Sequence, residues 1–129
     1  MAKKTASPEA ATETLPVENL DPLRLMAQLP LRPYQNILDA GCGNGHLTIP
    51  LAKFLFDGKV YAMDSTISNL NDLKARLVTT RLSNVVPVTN KRRQQGIGSG
   101  NLDGVLLPFT LHNAADKEAY LQEFLPFLK

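Results

Sequence analysis

From residue 36 onward, short apolar runs alternate with longer stretches in which apolar residues recur every three or four positions. The runs NILDA (36–40), KVYAMD (59–64), NVVPVT (84–89) and LDGVLLPFTL (102 to at least 107) have the length and composition of strands. Pro87 inside the third run predicts an edge strand, because proline cannot donate to a central ladder. Between the first two runs, Leu47, Leu51 and Leu55, with Ile49 and Ala52 beside them, predict a helix, with Pro50 in its first turn. Asp57-Gly58 predicts the turn that follows. A second helix is predicted by Ile67, Leu70, Leu73 and Leu77, with Ser65 or Thr66 as its cap. A final helix is predicted by Tyr120, Leu121, Phe124, Leu125 and Leu128, with Pro126 expected to fray or kink its last turn. Upstream, Leu20, Leu23, Met26 and Ala27 predict a short helix with Asp21 as N-cap and Pro22 at its first position. Pro30 and Pro33 then predict a loop. The stretch KRRQQGIGSGN (91–101) reads as a polar, glycine-rich flexible linker.

Strands alternating with helices predict an α/β fold, a parallel sheet with helices on both faces. The chain has 129 residues, enough for one domain. Residues 1–18 are rich in Ala, Thr, Glu and Pro and read as a disordered leader; residues 19–129 read as the domain. With 43% hydrophobic and 20% charged residues, the composition is that of a globular domain. The formal net charge of +2 is too small to argue for nucleic acid. Lys91-Arg92-Arg93 reads as a solvated loop in preference to a nucleic-acid patch. No apolar run is long enough to span a bilayer, and the first residues lack the apolar core of a signal peptide. One cysteine, Cys42, excludes an internal disulfide framework and a cysteine-based metal cluster, and fits a cytoplasmic location.

The chemistry gathers in NILDAGCGNGHLTIPLA (36–52), where Gly41, Gly43 and Gly45 join a strand to a helix. Glycine lets a chain turn sharply with positive φ and lets a ligand touch the backbone. A glycine turn between a strand and a helix is a site of dinucleotide type. The NAD fingerprint G-x-G-x-x-G does not fit: its third glycine position is His46, whose ring would crowd the helix–strand approach. Asp39, two residues before Gly41, adds negative charge near any phosphate. It suits a ligand that carries positive charge.

This segment resembles the first motif, D-x-G-x-G-x-G, of the class I S-adenosylmethionine-dependent methyltransferases. VYAMD resembles their second motif, a strand ending in an acid, Asp64, 19 residues after Gly45. NVVPVT and NLDGVLLPFTLHN resemble the third and fourth strands of the small-molecule members. The resemblance covers roughly residues 20–129. It implies a Rossmann-like doubly wound sheet of order 3-2-1-4, incomplete beside the seven-stranded family core. It also implies S-adenosyl-L-methionine as cofactor. Asp39 and the backbone of Gly41, Cys42, Gly43 and Gly45 would surround the methionine part. Asp64 would take the ribose hydroxyls, since one carboxylate accepts several hydrogen bonds. Met63 and Ser65 would flank the adenine. Leu111 and His112 would face the methyl group and the acceptor, with His112 as a base on the acceptor or a residue that shapes the pocket.

The sequence departs from the family after the third strand, where an acid usually stands near the adenine amino group. Here the position is Asn90, which reads equally as an adenine contact through its amide oxygen or as a solvated loop residue. The residues after the fourth strand are LPFT. They lack the Asn-Pro-Pro-Tyr or Asp-Pro-Pro-Tyr of the amino-methylating nucleic-acid enzymes of this fold. His46 reads as a helix-surface or packing residue, and Cys42 as a small residue fitted to the glycine loop. The expected function is methyl transfer to a small-molecule acceptor. The alternative is a non-catalytic cofactor-binding or interaction module. In either case the fourth strand is expected to be an apolar sheet edge, open to self-association or to a partner chain.

Overall fold

The computed structural model describes residues 21–107 and 117–129. The expected leader lies outside the described residues, as do Leu111 and His112. Four strands are present: β1 (Asn36–Ala40), β2 (Lys59–Asp64), β3 (Val85–Thr89) and β4 (Gly104–Leu106). All pair in parallel, in the order β3-β2-β1-β4. The first two strands coincide with the apolar runs read from the sequence. The Val60 N–H donates to the Asn84 carbonyl at 2.9 Å. Residues alternate direction along a parallel strand, so Pro87 turns its ring nitrogen away from β2, where no donor is needed.

Alternation along the strands sends side chains into two layers. Ile37, Val60 and Ala62 pack under α1 (Pro22–Gln28), α2 (Thr48–Phe54) and α3 (Ile67–Thr80), with Leu51, Leu55, Leu70, Leu73 and Leu77 as the main helical contributors. Leu38, Ala40, Tyr61 and Met63 face the other way, toward Val88, Ile97, Leu102, Phe124 and Phe127. The Asp21 carboxylate caps α1 by accepting from the N–H groups of Leu23 and Arg24, as its sequence position implied. Asn84 closes the other end of α2: its amide donates to the carbonyls of Ala52 and Leu55 at 3.0 and 2.8 Å. Among the described residues no helix is long and apolar enough to cross a membrane.

Several expectations are corrected by packing. Leu23 and Ile67 lie on helical faces predicted to be buried but are 71% and 64% exposed; each sits in the first turn of its helix, and the burial falls to Met26 in α1 and to Leu70, Leu73 and Leu77 in α3. Residues 90–97 form a 3₁₀ turn (Asn90–Arg92) and a short helix, α4 (Arg93–Ile97), in place of a flexible linker. This segment is anchored by the buried Ile97, by Gly96 against Val88, and by the Asn101 amide donating to the Ile97 carbonyl at 2.6 Å. The predicted last helix is shorter, α5 (Lys117–Gln122), with a 3₁₀ turn Leu125–Phe127 where Pro126 interrupts it. Phe124 and Phe127 are buried, whereas Leu121 and Leu125 are exposed.

The fourth strand is likewise shorter than the apolar run. Leu102 stands apart from it, in a parallel bridge with Leu128. The Leu102 N–H donates to the Phe127 carbonyl at 2.8 Å, and the Lys129 N–H to the Leu102 carbonyl at 2.9 Å. Residues 127–129 therefore cover the outer side of the sheet at the entry to β4. The stretch Gly104–Leu106 remains a sheet edge.

Gly58 shows how closely the loops at the opposite end of the sheet approach. A Cβ there would overlap the Gln35 carbonyl and lie 2.9 Å from the Tyr34 carbonyl carbon. The neighbouring bonds, Asp57 N–H to Pro33 O and Lys59 N–H to Gln35 O, require that approach. Gly58→Ala is expected to destabilise the domain by roughly 2–4 kcal/mol, because backbone and not a pliable side chain must yield. Urea unfolding of the two proteins, compared at equal m-value, measures it.

Candidate cofactor site

The site lies at the carboxyl ends of β1, β2 and β3, where the connecting segments begin. Asp39 is the penultimate residue of β1 and is completely buried. Its Oδ2 accepts the Thr48 hydroxyl at 2.7 Å, whereas its Oδ1 has no hydrogen-bond partner. Burial pushes its carboxyl up to about 6; the Thr48 bond opposes that rise and the charge of Asp64 adds to it. Thr48 was not singled out in the sequence. A hydroxyl nine positions after an acid, in the first turn of the following helix, was the only signal.

After Ala40 the chain turns through Gly41, Gly43 and Gly45, with φ values of +82°, +58° and +105°. These are left-handed values that side chains rarely adopt. Gly45 is further constrained by space, since a Cβ would come within 2.6 Å of Leu73 Cδ1. The loop uses its N–H groups internally. Those of Gly41 and Cys42 donate to the Met63 carbonyl at 2.7 and 3.0 Å, and that of Gly45 donates to the Cys42 carbonyl at 3.1 Å. The Gly43 N–H donates to Asp64 Oδ2 at 2.8 Å. An anion cradle needs such donors free. With four of them satisfied inside the protein, the loop is suited to a ligand that donates hydrogen bonds, not to a pyrophosphate.

Asp64 ends β2 and accepts a second backbone donor, the Thr66 N–H, on Oδ1 at 2.8 Å. This bond stands where a side-chain cap was expected: Thr66 is the cap residue of α3, but neither its hydroxyl nor that of Ser65 makes the capping bond. A carboxylate has about four acceptor directions, so Asp64 keeps capacity for two more donors. Met63 is buried against the sheet and Ser65 is exposed. Asn90 follows β3 directly, and its buried Oδ1 has no partner either. Cys42 is buried beside the two acids. Burial first, and then the charges of Asp39 and Asp64, push its thiol well above the usual range, so it is held as the neutral thiol.

The strand ends thus bring Asp39, the glycine loop, Asp64 and Asn90 to one edge of the sheet. The Lys91-Arg92-Arg93 run points elsewhere in its contacts. Lys91 and Arg92 are exposed, and Arg93 is paired with Glu123 at 2.9 Å. A shallow groove of about 300 Å³ lies between β3 and α4, lined by Pro87, Val88, Thr89, Arg92, Gln95 and Gly96; neither acid nor the glycine loop borders it.

A parallel sheet whose first crossover carries a turn with glycine at every second position, and an acid ending the neighbouring strand, defines a Rossmann-like nucleotide-cofactor domain. The family model described as "Methyltransferase domain" matches residues 38–129, and the chain belongs to this family. Its members use S-adenosylmethionine as cofactor. No curated protein matches the sequence. Among solved structures, the chain is similar to a SAM-dependent methyltransferase from Aquifex aeolicus, at 24% identity over 88% of this chain and with a TM-score of 0.77. It is also similar to the YcgJ protein from Bacillus subtilis, at 18% identity, 84% coverage and a TM-score of 0.70. A third similar structure is M. jannaschii TYW2 in complex with AdoMet, at 23% identity, 90% coverage and a TM-score of 0.69. The chain spans 61%, 46% and 50% of these three proteins respectively, and its fold is incomplete relative to theirs.

The buried Asp39 makes a prediction about stability. Its folded pKa of about 6 exceeds the ordinary 3.8, so the native state holds this proton more tightly than the unfolded chain does. Stability attributable to the group is therefore full below pH ~4, falls as pH rises through about 6, and stays low above that. The deficit at neutral pH is on the order of 3 kcal/mol. Asp39→Asn is expected to raise the ligand-free stability by roughly 1–3 kcal/mol at pH 7.5, with the gain vanishing near pH 4. Thermal unfolding across that range reads both the size and the sign.

Proposed function

We propose that the domain binds S-adenosylmethionine at this edge and transfers its methyl group to a small-molecule nucleophile. The observation that carries the reading is the row of acceptors at the ends of adjacent strands: Asp39 Oδ1 and Asn90 Oδ1 without partners, and Asp64 between them with capacity to spare. The cofactor offers a complementary set of donors, an ammonium group, two ribose hydroxyls and an adenine amine. Asp39 and the backbone of Gly41, Cys42, Gly43 and Gly45 would border the methionine part, with the Asp39 charge favouring its positive groups. Asp64 would accept from the ribose hydroxyls while keeping its two backbone donors. Met63 and Ser65 would flank the adenine, and Asn90 would accept from its amine.

Bound there, the cofactor supplies an electrophilic methyl group on a sulfonium that leaves as a neutral thioether. The leaving group needs no acid, so the protein's task is to hold the nucleophile in line and exclude water. This accounts for a site rich in binding residues and poor in proton-transfer groups. His112 remains the proposed group for the acceptor side, from its position after the fourth strand in the sequence. The LPFT sequence there supports a small molecule in preference to a base in nucleic acid as acceptor.

A second reading is a cofactor-binding module that works only with a partner along the sheet edge. It rests on β4, whose outer side, among the described residues, is paired at Leu102 and has no strand beside Gly104–Leu106. Sedimentation of the purified protein from micromolar to near-millimolar concentration separates the two. A concentration-dependent dimer supports pairing at this edge; a monomer at every concentration removes self-association from consideration.

Calorimetric titration with S-adenosylhomocysteine tests the first reading. Wild-type protein is expected to bind, and Asp64→Ala to lose at least about tenfold in affinity, through the ribose contacts and the released Gly43 and Thr66 N–H groups. Equal binding by both proteins would exclude the proposed site. Methyl transfer in an acceptor screen with the binding-competent protein then distinguishes an enzyme from a module.

A further inference from the structure

The glycine loop is held from outside as well as from within. Arg76, in the third turn of α3, donates from Nη1 to the main-chain carbonyl of Asn44 at 3.1 Å. The same nitrogen lies 3.5 Å from Asn44 Oδ1. Asn44 is the residue between the second and third glycines of the loop. Three residues before Arg76, on the same face of α3, Leu73 packs on Gly45 so closely that no Cβ could be added there without displacing it. At the entry to α3, the Thr66 N–H holds Asp64, which in turn holds the Gly43 N–H. Loop residues 43, 44 and 45 are therefore each tied to α3 or its entry, by three different kinds of contact.

These contacts bear on binding because of the conformation they maintain. Gly43 and Gly45 stand at φ +58° and +105°, and glycine visits many other conformations as readily. A loop that must be ordered when its ligand arrives binds more weakly than one already in place. The Gly43 bond and the Leu73 contact hold the two glycines, but the peptide between them has Arg76 as its external tether. Arg76 is exposed, and it contributes nothing to either core layer.

We propose that Arg76 is a positioning residue for cofactor binding: by holding the Asn44 carbonyl, it keeps the glycine loop in its binding conformation before the ligand arrives. This rests on the loop being the cofactor cradle. The handle is the main-chain carbonyl, so the Asn44 side chain is dispensable. A lysine at position 76 keeps one charged donor and should retain part of the effect.

The test uses Arg76→Ala, Arg76→Lys and Asn44→Ala in the whole chain, with two measurements on each. Amide hydrogen exchange of residues 43–45 is recorded without ligand, and S-adenosylhomocysteine affinity is measured by calorimetry. Arg76→Ala is expected to speed exchange in the loop about tenfold and weaken affinity about fivefold, with a thermal midpoint within about 2 °C of wild type. Arg76→Lys should fall between wild type and Arg76→Ala, and Asn44→Ala should match wild type in both measurements. Unchanged exchange in Arg76→Ala overturns the proposal, whatever the binding result. So does unchanged affinity in a protein whose wild type binds. If wild type does not bind, the cofactor reading fails, and with it the proposed role of Arg76 in binding; the exchange data then report only a loop tether.

Discussion

Two main-chain N–H groups, from Gly43 and Thr66, meet on the carboxylate of Asp64. The rest of the site depends on this junction. It joins the turn after β1 to the end of β2 and the adjoining entry of α3, so a loop and a strand-to-helix connection 21 residues apart in sequence take up one arrangement. The junction needs glycine at position 43, because the N–H reaches Asp64 only with the backbone in the left-handed region. It needs an acid that ends the strand, because only there can one side chain receive both a loop donor and a helix-entry donor. The Met63 carbonyl completes it by accepting from Gly41 and Cys42.

Satisfying the loop's donors internally decides what kind of ligand the edge can hold. A phosphate-binding turn leaves its N–H groups pointing at the ligand. Here those of Gly41, Cys42, Gly43 and Gly45 are engaged, and among the described residues the buried side-chain atoms without partners are acceptors, one oxygen of Asp39 and one of Asn90. Unpaired buried acceptors cost stability in the ligand-free protein, the more so when one of them is a carboxylate. Asp39 tolerates its position through the Thr48 hydroxyl on one oxygen and through a raised affinity for its proton. The same strain is relieved by a ligand that brings donors and positive charge. Part of the stability given up in the empty domain is thus available as selectivity for such a ligand. A similar economy governs Cys42, which fills a small space next to two acids and is kept neutral by its burial first and by their charge second.

The helices serve the site in unequal ways. α2 supplies Thr48 to Asp39 from its first turn and is closed at its far end by Asn84. α3 supports the glycine loop along its length through Leu73 and Arg76. α4 and the C-terminal turn fill the opposite layer with Ile97, Phe124 and Phe127. At one edge of the sheet, residues 127–129 pair with Leu102 and cover the entry to β4, and among the described residues Gly104–Leu106 forms the sheet edge.

Much of this was legible in the sequence because it depends on local rules. The short apolar runs at 36–40 and 59–64 became strands with those bounds, since an apolar strand buried on both faces has few other placements. Asp21 and Pro22 started a helix, Pro87 marked an edge, and the spaced glycines took left-handed backbone values. Other features depend on what lies across space. Ile67 and Leu23 carry the right helical phase but are exposed in the first turns of their helices, and phase does not report which turns of a helix meet a partner. Residues 91–97 look like a polar linker until Val88 supplies a surface for Gly96 and Ile97. By itself the sequence determined the strand–glycine–helix grammar and the acids at the strand ends, through backbone sterics and apolar period. Only the tertiary structure decided which oxygens remain without partners, which N–H groups are already engaged, and that Arg76 reaches the loop, because each of these is a contact between residues that the chain order does not bring together.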